Sequence, residues 1–315
     1  MGLEMVKTIQ VLMACYNGQR FLPQQLESLR CQDDPCFTVL MQDDGSTDDT
    51  PALLAEAAED PRFLLAAESG MHHGAIGNFL SLIGHCTADY AALCDQDDQW
   101  SPQRLSRCRA AMEEAEARYG ADTPLLVHSD ARLVDETGAA LQESFFRHQG
   151  WDPGAVTLPR LLVQNNVTGC TLMMNAPLYR LVARYGKAES MHMHDWFIAL
   201  TAAAFGKIVF VDKPLINYRQ HSVNVMGASR RSLVQRGAAA LGQRQKGKDR
   251  IALTYTHTEA FRQAYGDALP DEAAEIVSRY LATRSMSRFS RLAAVRRGGY
   301  TMQSPVTRLG QMLFG

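Results

Sequence analysis

Short apolar runs alternate with segments of helical character over the first 120 residues of the chain. The apolar runs are typical of strands buried in a parallel sheet, and they cover residues 9–14, 37–41, 63–66 and 90–94. A segment that we predict to be helical follows each run, at residues 21–29, 51–59, 75–85 and 102–119. This alternation predicts an α/β fold in which helices cover a parallel sheet.

Acidic residues follow the second and fourth of these predicted strands. Asp43 and Asp44 come directly after residues 37–41, and the sequence Asp-Gln-Asp-Asp occupies positions 95–98. Because ligands of such sheets bind at the carboxyl ends of the strands, we expect both clusters to face one binding site. Neighbouring carboxylates repel one another unless a cation neutralises them, and oxygen ligands suit Mg²⁺ or Mn²⁺. A solvated loop and an ordinary Asp-Gly turn are the alternatives.

The composition excludes several classes of protein. Among 315 residues, 32 Lys and Arg stand against 34 Asp and Glu, a formal net charge of −2 that does not indicate a nucleic-acid binder. No apolar run reaches the roughly 20 residues of a membrane span, and the amino terminus lacks a signal core, so we expect a protein that is neither membrane-spanning nor secreted. Seven cysteines without a CxxC pair favour reduced thiols in the cytoplasm.

The charge is divided unevenly along the chain. Residues 226–315 contain 15 Lys and Arg but 6 Asp and Glu, a net charge of +9, which leaves −11 for residues 1–225. We therefore predict a catalytic domain over residues 1–226 and a basic, mostly helical extension over residues 227–315. Within the extension, the run from Ser285 to Arg297 predicts a basic amphipathic helix. Such a helix fits a membrane surface, or packing on the catalytic domain.

Three motifs stand at the predicted strand ends: Ala14-Cys15-Tyr16-Asn17-Gly18, Gln42-Asp43-Asp44-Gly45-Ser46-Thr47-Asp48 and Asp95-Gln96-Asp97-Asp98-Gln99-Trp100. Together they resemble the opening turn, the nucleotide-binding turn and the metal-binding DxD of bacterial family-two inverting glycosyltransferases. The form of the third motif and the segment Tyr218–Asn224 are similar to the rhamnosyltransferase subgroup. The resemblance implies a GT-A fold, a Rossmann-like mixed sheet flanked by helices, with a C-terminal helical extension.

The resemblance also implies a role for individual residues. Asp97 and His221 would hold Mg²⁺ or Mn²⁺, and Asp195 would be the general base. Contacts with the donor or the acceptor are expected from Ala14, Tyr16, Asn17, Asp43, Asp44, Asn78, Asp95, Gln96, Gly169, Trp196 and Arg219. By residue type alone, an Asp at a helix start is more often a cap, and Arg219 fits a structural ion pair equally well. His72, His73, His192 and His194 are interpreted as solvated, or at most as hydrogen-bonding to the acceptor.

The implied reaction is inverting transfer of a sugar from a nucleotide sugar, with dTDP-L-rhamnose favoured as the donor. The acceptor would be a hydroxyl of a saccharide or lipid-linked saccharide in cell-surface polysaccharide or lipopolysaccharide synthesis. The expected location is the cytoplasm, with peripheral contact on the inner face of the plasma membrane through the extension. A nucleotidyltransferase is one alternative, although residues 14–18 are not a glycine-rich basic phosphate loop. The other is a non-catalytic sugar-nucleotide-binding protein, against which the joint presence of Asp97, Asp195 and His221 argues.

Overall fold

The computed structural model of the chain describes residues 6–220 and 239–314. In these ranges nine strands form one sheet: β1 (Ile9–Cys15), β2 (Phe37–Asp43), β3 (Phe63–Leu65), β4 (Tyr90–Asp95), β5 (Gln99–Trp100), β6 (Leu125–Val134), β7 (Ala140–Gln142), β8 (Leu172–Asn175) and β9 (Lys207–Arg219). Their order across the sheet is β3-β2-β1-β4-β8-β6-β9-β5, and β7 pairs with β6.

Twelve α-helices accompany the sheet in the described residues. They are α1 (Leu22–Arg30), α2 (Thr50–Ala57), α3 (Gly74–His85), α4 (Arg104–Tyr119), α5 (Phe145–Gln149), α6 (Leu158–Leu161), α7 (Ala176–Tyr185), α8 (His194–Phe205), α9 (Ala239–Tyr265), α10 (Asp271–Ala282), α11 (Arg288–Arg297) and α12 (Pro305–Phe314). The four strand and helix pairs predicted in the first 120 residues are confirmed, with shifts of a few residues at their ends.

The sheet is mixed rather than wholly parallel. Strands β1 to β4 run parallel to one another, whereas β8 lies antiparallel between β4 and β6, and β5 lies antiparallel beside β9. The parallel part aligns the strand ends that carry the motifs, because Cys15 pairs with Asp43 and Ala14 pairs with Asp95. The two acidic clusters therefore meet at one edge of the sheet, as the pattern predicted.

Two hydrophobic cores cover the two faces of the sheet. The first contains the apolar side of α8 together with residues from α9 and α10. Phe261 of α9 contacts Phe197 of α8 with ring centroids 5.6 Å apart, and the hydroxyl of Tyr265 lies 2.8 Å from that of Thr201. The C-terminal helices thus pack on the body of the protein, and the predicted boundary near residue 226 lies outside the described residues.

The predicted amphipathic helix at residues 285–297 needs correction. Residues 283–285 form a single 3₁₀ turn, and α11 begins at Arg288. Its apolar residues are divided between two sides: Leu292 and Val295 face a small inner pocket, whereas Phe289 is 85% exposed. The cause is tertiary packing, since the inner side of α11 is covered by residues of α9 and α10.

Gly206 yields a stability prediction because it ends α8 where the chain enters β9. A Cβ at this position would lie 1.7 Å from the carbonyl oxygen of Pro124, a backbone atom that cannot rotate away. We expect Gly206→Ala to lower the free energy of unfolding by at least the roughly 1–3 kcal/mol typical of overpacking. Urea denaturation measures this change.

Gly84→Ala is the matched control for that substitution. A Cβ at Gly84, in the last turn of α3, meets no atom within 4 Å, so this variant should be at least as stable as the parent protein. If Gly206→Ala unfolds at the same urea concentration as Gly84→Ala, the predicted clash with the carbonyl oxygen of Pro124 does not occur.

Candidate active site

One glutamine side chain joins the loop after β1 to the loop after β4. The latter contains residues 95–98 and is called the acidic loop below. Gln96 Oε1 accepts the backbone N–H of Tyr16 at 2.7 Å, and Gln96 Nε2 donates to the carbonyl oxygen of Tyr16, also at 2.7 Å. Since the β1–β4 ladder ends at Ala14 and Asp95, the amide of Gln96 continues it by one step. The ring of Tyr16 is left 48% exposed at the strand ends.

The turn after β2 is fixed by its own side chains. Asp43 Oδ2 accepts the backbone N–H groups of Gly45 and Ser46 at 3.1 and 3.0 Å. Asn17, which has a left-handed backbone with φ of 47°, donates its N–H to Ser46 Oγ and accepts the N–H of Thr47. Hydrogen bonds consequently hold the ends of β1 and β2 together, and the carboxylate of Asp43 is one of the acceptors.

Asp44 and Asn78 are buried beside this turn. Asp44 accepts the backbone N–H of His73, and a ring nitrogen of His72 lies 3.3 Å from its other oxygen. The ring of His72 is in turn 5.6 Å from that of Tyr16. Asn78 Nδ2 donates to the carbonyl oxygen of Gln42 at 3.3 Å, and Asn78 Oδ1 has no hydrogen-bond partner in the described structure.

The acidic loop after β4 carries strongly perturbed carboxyl groups. Burial, followed by the charges of Asp97 and Asp195, raises the pKa of Asp95 to about 7. Asp98 is completely buried, and burial with the charges of Asp97 and Asp95 raises its pKa well above the usual range. Because the charge of Asp195 acts on Asp95, the fold brings the predicted base close to the acidic loop, almost one hundred residues away in sequence.

Asp95, Asp98 and Cys170 form the one group of three or more potential metal ligands found within residues 6–220 and 239–314. Their ligand atoms lie within 4.8 Å of one another. Burial raises the pKa of the Cys170 thiol well above its usual range, so it stays protonated and presents an S–H to the carboxylates. Asp98 Oδ2 has no hydrogen-bond partner in this part of the chain.

The residues of the loop fit a hard divalent cation. They offer carboxylate oxygens, which Mg²⁺ and Mn²⁺ prefer, and one of those oxygens is buried without a partner. The structure thus agrees with the chemistry expected of a DxD loop. Of the two predicted ligands, Asp97 is half-buried in this loop and His221 lies outside the described residues, so the ligand pair stays a prediction.

Asp195 lies in the first turn of α8, and its two carboxylate oxygens differ in their hydrogen bonds. Oδ2 accepts the backbone N–H of Gly169 at 3.3 Å, and the carboxylate also accepts the N–H of Trp196. Oδ1 is buried and has no hydrogen-bond partner among the described residues. Burial raises the pKa of this carboxyl to about 6. One oxygen is therefore held by the backbone while the other is available for a proton.

Gly169 allows the start of α8 to lie close to the turn of residues 169–171. A Cβ there would lie 3.0 Å from Nε2 of His194 and 3.5 Å from the Cβ of Asp195. His194 itself is 7% exposed and stacks on Phe79 with centroids 4.3 Å apart, which corrects its interpretation as a solvated residue. Burial lowers the pKa of His194 to about 4, so the imidazole is neutral at physiological pH.

Two of the predicted substrate contacts have side chains engaged inside the protein. Trp196 is 7% exposed, and its Nε1 donates to the carbonyl oxygen of Leu161 at 2.6 Å. Arg219 is 1% exposed and donates to the carbonyl oxygens of Asp97 and Glu136, each at 2.9 Å. Arg219 thus supports the acidic loop through hydrogen bonds to the backbone. A substrate contact by Trp196 or Arg219 stays a prediction.

The sequence contained no signal for two residues of the site. Arg104 is fully buried with its guanidinium 3.8 Å from the centre of the Trp100 ring, and it donates to the carbonyl oxygen of Cys170 at 2.6 Å. Cys170 stands inside an apolar run, where cysteine usually acts as a small hydrophobe. Their importance follows from contacts 66 residues apart in sequence.

Comparisons with known proteins agree with this architecture. Residues 10–136 match the model of the family described as "Glycosyl transferase family 2". The chain is 25% identical over 218 residues to the uncharacterized protein Rv1520 of Mycobacterium tuberculosis, a match that covers 68% of this chain and 59% of that protein. It is 26% identical over 231 residues to the dTDP-rhamnosyl transferase RfbG of Shigella flexneri, covering 69% of this chain and 74% of RfbG.

The solved structures show the same fold. The structure of S. aureus TarS residues 1–349 in complex with UDP-GlcNAc superposes with a TM-score of 0.59 at 18% identity, covering 90% of this chain and 74% of that one. The matched region of the chain spans 59% of the length of the first curated relatives. The chain therefore has a GT-A fold with additional C-terminal helices, and its residues 10–136 are similar to the family described as "Glycosyl transferase family 2".

Proposed function

We propose that this protein is a metal-dependent, inverting glycosyltransferase that moves a sugar from a nucleotide sugar onto a saccharide hydroxyl. The observation that carries the proposal is the carboxyl of Asp195, which is buried beside the acidic loop with one oxygen unpartnered and a pKa of about 6. A general base needs these properties, since it must be ionised near neutral pH and have an open lone pair. A helix cap needs neither of them.

In this mechanism Asp195 removes the proton of the acceptor hydroxyl. The hydroxyl oxygen forms a bond to the anomeric carbon as the bond to the nucleoside diphosphate breaks, and the proton goes to Asp195 Oδ1. The Gly169 N–H holds Oδ2 at 3.3 Å, so the open oxygen keeps its direction during transfer. A divalent cation bound at Asp97 and His221 would supply positive charge that stabilises the leaving diphosphate.

We further propose dTDP-L-rhamnose as the donor. The support is the 26% identity with RfbG, whose name states that it is a dTDP-rhamnosyl transferase. The acceptor would be a saccharide or lipid-linked saccharide in cell-surface polysaccharide or lipopolysaccharide synthesis. A relative from Sodalis glossinidius, 26% identical over 243 residues, is named undecaprenyl-phosphate 4-deoxy-4-formamido-L-arabinose transferase, and this name fits an acceptor carried by a lipid.

A lipid-linked acceptor would require the enzyme to reach a membrane surface, and we propose that α11 makes this contact. No helix in the described ranges is long and apolar enough to cross a bilayer. Residues 276–315 contain seven Arg and no Asp or Glu. Within the described structure, Arg288, Arg296 and Arg297 have no ion-pair partner, and Phe289 beside them is 85% exposed. Anionic headgroups complement such a surface, and the Phe ring would enter the interface.

The donor and the metal are tested together by thermal shift and turnover. We expect dTDP-L-rhamnose to raise the melting temperature more than UDP- or GDP-sugars do, and only with Mn²⁺ or Mg²⁺ present, because a tighter ligand stabilises more by mass action. Asp97→Ala should abolish transfer without lowering the melting temperature of the free protein. Asp122→Ala, at an exposed position on another loop, is the control. Full turnover in excess EDTA would exclude the metal.

The role of Asp195 is tested by Asp195→Asn at two pH values. Loss of a general base lowers kcat by about 10²–10⁴, while donor binding at saturating Mn²⁺ should stay near normal. The raised pKa also means that the ionised carboxylate destabilises the folded state, and this penalty develops as pH rises from 3.8 to about 6. Asp195→Asn should therefore melt at a higher temperature than the parent protein at about pH 8, and at the same temperature at about pH 3.5.

A structural role for Asp195 would give the opposite pattern. If it were only a helix cap, Asp195→Asn would turn over normally and Asp195→Ala would melt early, because Asn retains an acceptor for the Gly169 N–H. Normal kcat in Asp195→Asn would therefore overturn the assignment of the base.

The membrane contact is tested with vesicles and point variants. A truncation before Ser285 would remove the buried Tyr300 and Met302, so substitutions on the surface of α11 are preferable. We expect the protein to sediment with phosphatidylglycerol vesicles, less so at high salt, and to lose most of this binding in Phe289→Ser with Arg296→Gln. Arg279→Gln, whose arginine pairs with Glu275, is the control. Equal sedimentation of all variants would refute the proposal.

A further inference from the structure

We infer that the turn formed by residues 168–171 links the acidic loop to the general base, with Cys170 as a positioning residue. The inference rests on the proposed function only in naming Asp97 as a cation ligand and Asp195 as the base. Two consecutive residues make the link: Gly169 contacts the base, and Cys170 contacts the acidic loop. A shift of the loop when a cation binds would thereby reach the carboxylate that takes the proton.

The contact with the base is a backbone hydrogen bond in a confined space. The N–H of Gly169 donates to Asp195 Oδ2 at 3.3 Å. The turn packs tightly against α8, because a Cβ at Gly169 would lie 3.0 Å from Nε2 of His194 and would require the imidazole to shift. We therefore expect movement of the turn to change the position of Asp195 or to lengthen the hydrogen bond.

The contact with the acidic loop is made by the thiol of Cys170. Its sulfur lies within 4.8 Å of carboxylate oxygens of both Asp95 and Asp98, the residues that flank the predicted ligand Asp97. The thiol is 1% exposed and Asp98 is not exposed at all, so no solvent separates the sulfur from these carboxylates. Asp98 Oδ2 is also buried without a hydrogen-bond partner among the described residues, and an S–H so close to it can serve as a donor.

The turn is stiff enough to transmit a displacement. Thr171 donates its backbone N–H and its hydroxyl to the carbonyl oxygen of Thr168, at 3.0 and 2.7 Å. The buried guanidinium of Arg104 holds the carbonyl oxygen of Cys170 at 2.6 Å and lies against Trp100. A short turn closed by its own hydrogen bonds and held from outside moves as one body.

Substitutions of Cys170 separate a positioning role from simple packing. Cys170→Ser keeps a donor toward Asp98, whereas Cys170→Ala keeps none. If the thiol acts by donating, Cys170→Ser should bind Mn²⁺ nearly as well as the parent protein, and Cys170→Ala should bind it about three- to tenfold more weakly. If Cys170 only fills space, the order is reversed, since a buried hydroxyl is harder to accommodate than a methyl group. Mn²⁺ affinity is measured from the electron paramagnetic resonance signal of free Mn²⁺, without turnover.

Cys86→Ala is the matched control, because Cys86 is another buried thiol but precedes the opposite end of β4. It should lose melting temperature as Cys170→Ala does and keep the Mn²⁺ affinity of the parent protein. If Cys170→Ala does not fold, Cys170→Ser and the double variant below still test the inference.

The link itself is measured by a double-mutant cycle on Mn²⁺ affinity. Asp195→Asn removes a charge near the loop and should weaken Mn²⁺ binding. If the turn connects the two sites, this effect should change by more than about twofold when Cys170 is replaced by Ser or Ala, whereas independent sites are additive within about that factor. Additive effects would overturn the link. Because the cycle uses no sugar donor, its outcome is separate from the success or failure of the proposed reaction.

Discussion

Carboxylates crowded and buried at the end of β4 are the constraint on which the rest of this site depends. Asp98 has no solvent exposure, and Asp95 and Asp97 are close enough to raise its pKa. Such a loop is stable only if other groups hold it, since uncompensated buried charge is costly. The backbone N–H of Arg219 donates to Asp98, and its side chain bonds the carbonyl oxygen of Asp97. Strand β9, which pairs with β6 and β5 and not with β4, thus supplies the support that β4 itself lacks.

The same balance of burial and hydrogen bonding sets the chemistry of Asp195. Burial disfavours its ionised form, while the N–H groups of Gly169 and Trp196 favour it, and the resulting pKa is about 6. A more exposed carboxyl would have a lower pKa and be a weaker base, and one without these hydrogen bonds would have a higher pKa. It lies in the first turn of α8, whose N-cap is Met193, so the proposed role as a base does not conflict with capping of this helix.

The C-terminal helices share a core with the body of the protein. Trp196, next to Asp195, packs against His257 of α9 with ring centroids 4.5 Å apart, and neither ring nitrogen of His257 has a hydrogen-bond partner among the described residues. The helix that carries the proposed base therefore packs against a segment that charge alone assigned to a separate extension. The same helices have a basic outer surface and a buried inner surface, and composition alone does not distinguish the two.

The sequence by itself determined the strands β1 to β4, their helices and the edge at which Asp43, Asp95 and Asp97 meet. These follow from local pattern, because apolar runs define buried strands and parallel strands bring their carboxyl ends together. Only the tertiary structure decided that β8 runs antiparallel between β4 and β6, and that Cys170 and Arg104 lie at the acidic loop. The burial of a residue and its hydrogen-bond partners depend on contacts between distant segments, and the residues next to it in sequence do not encode them.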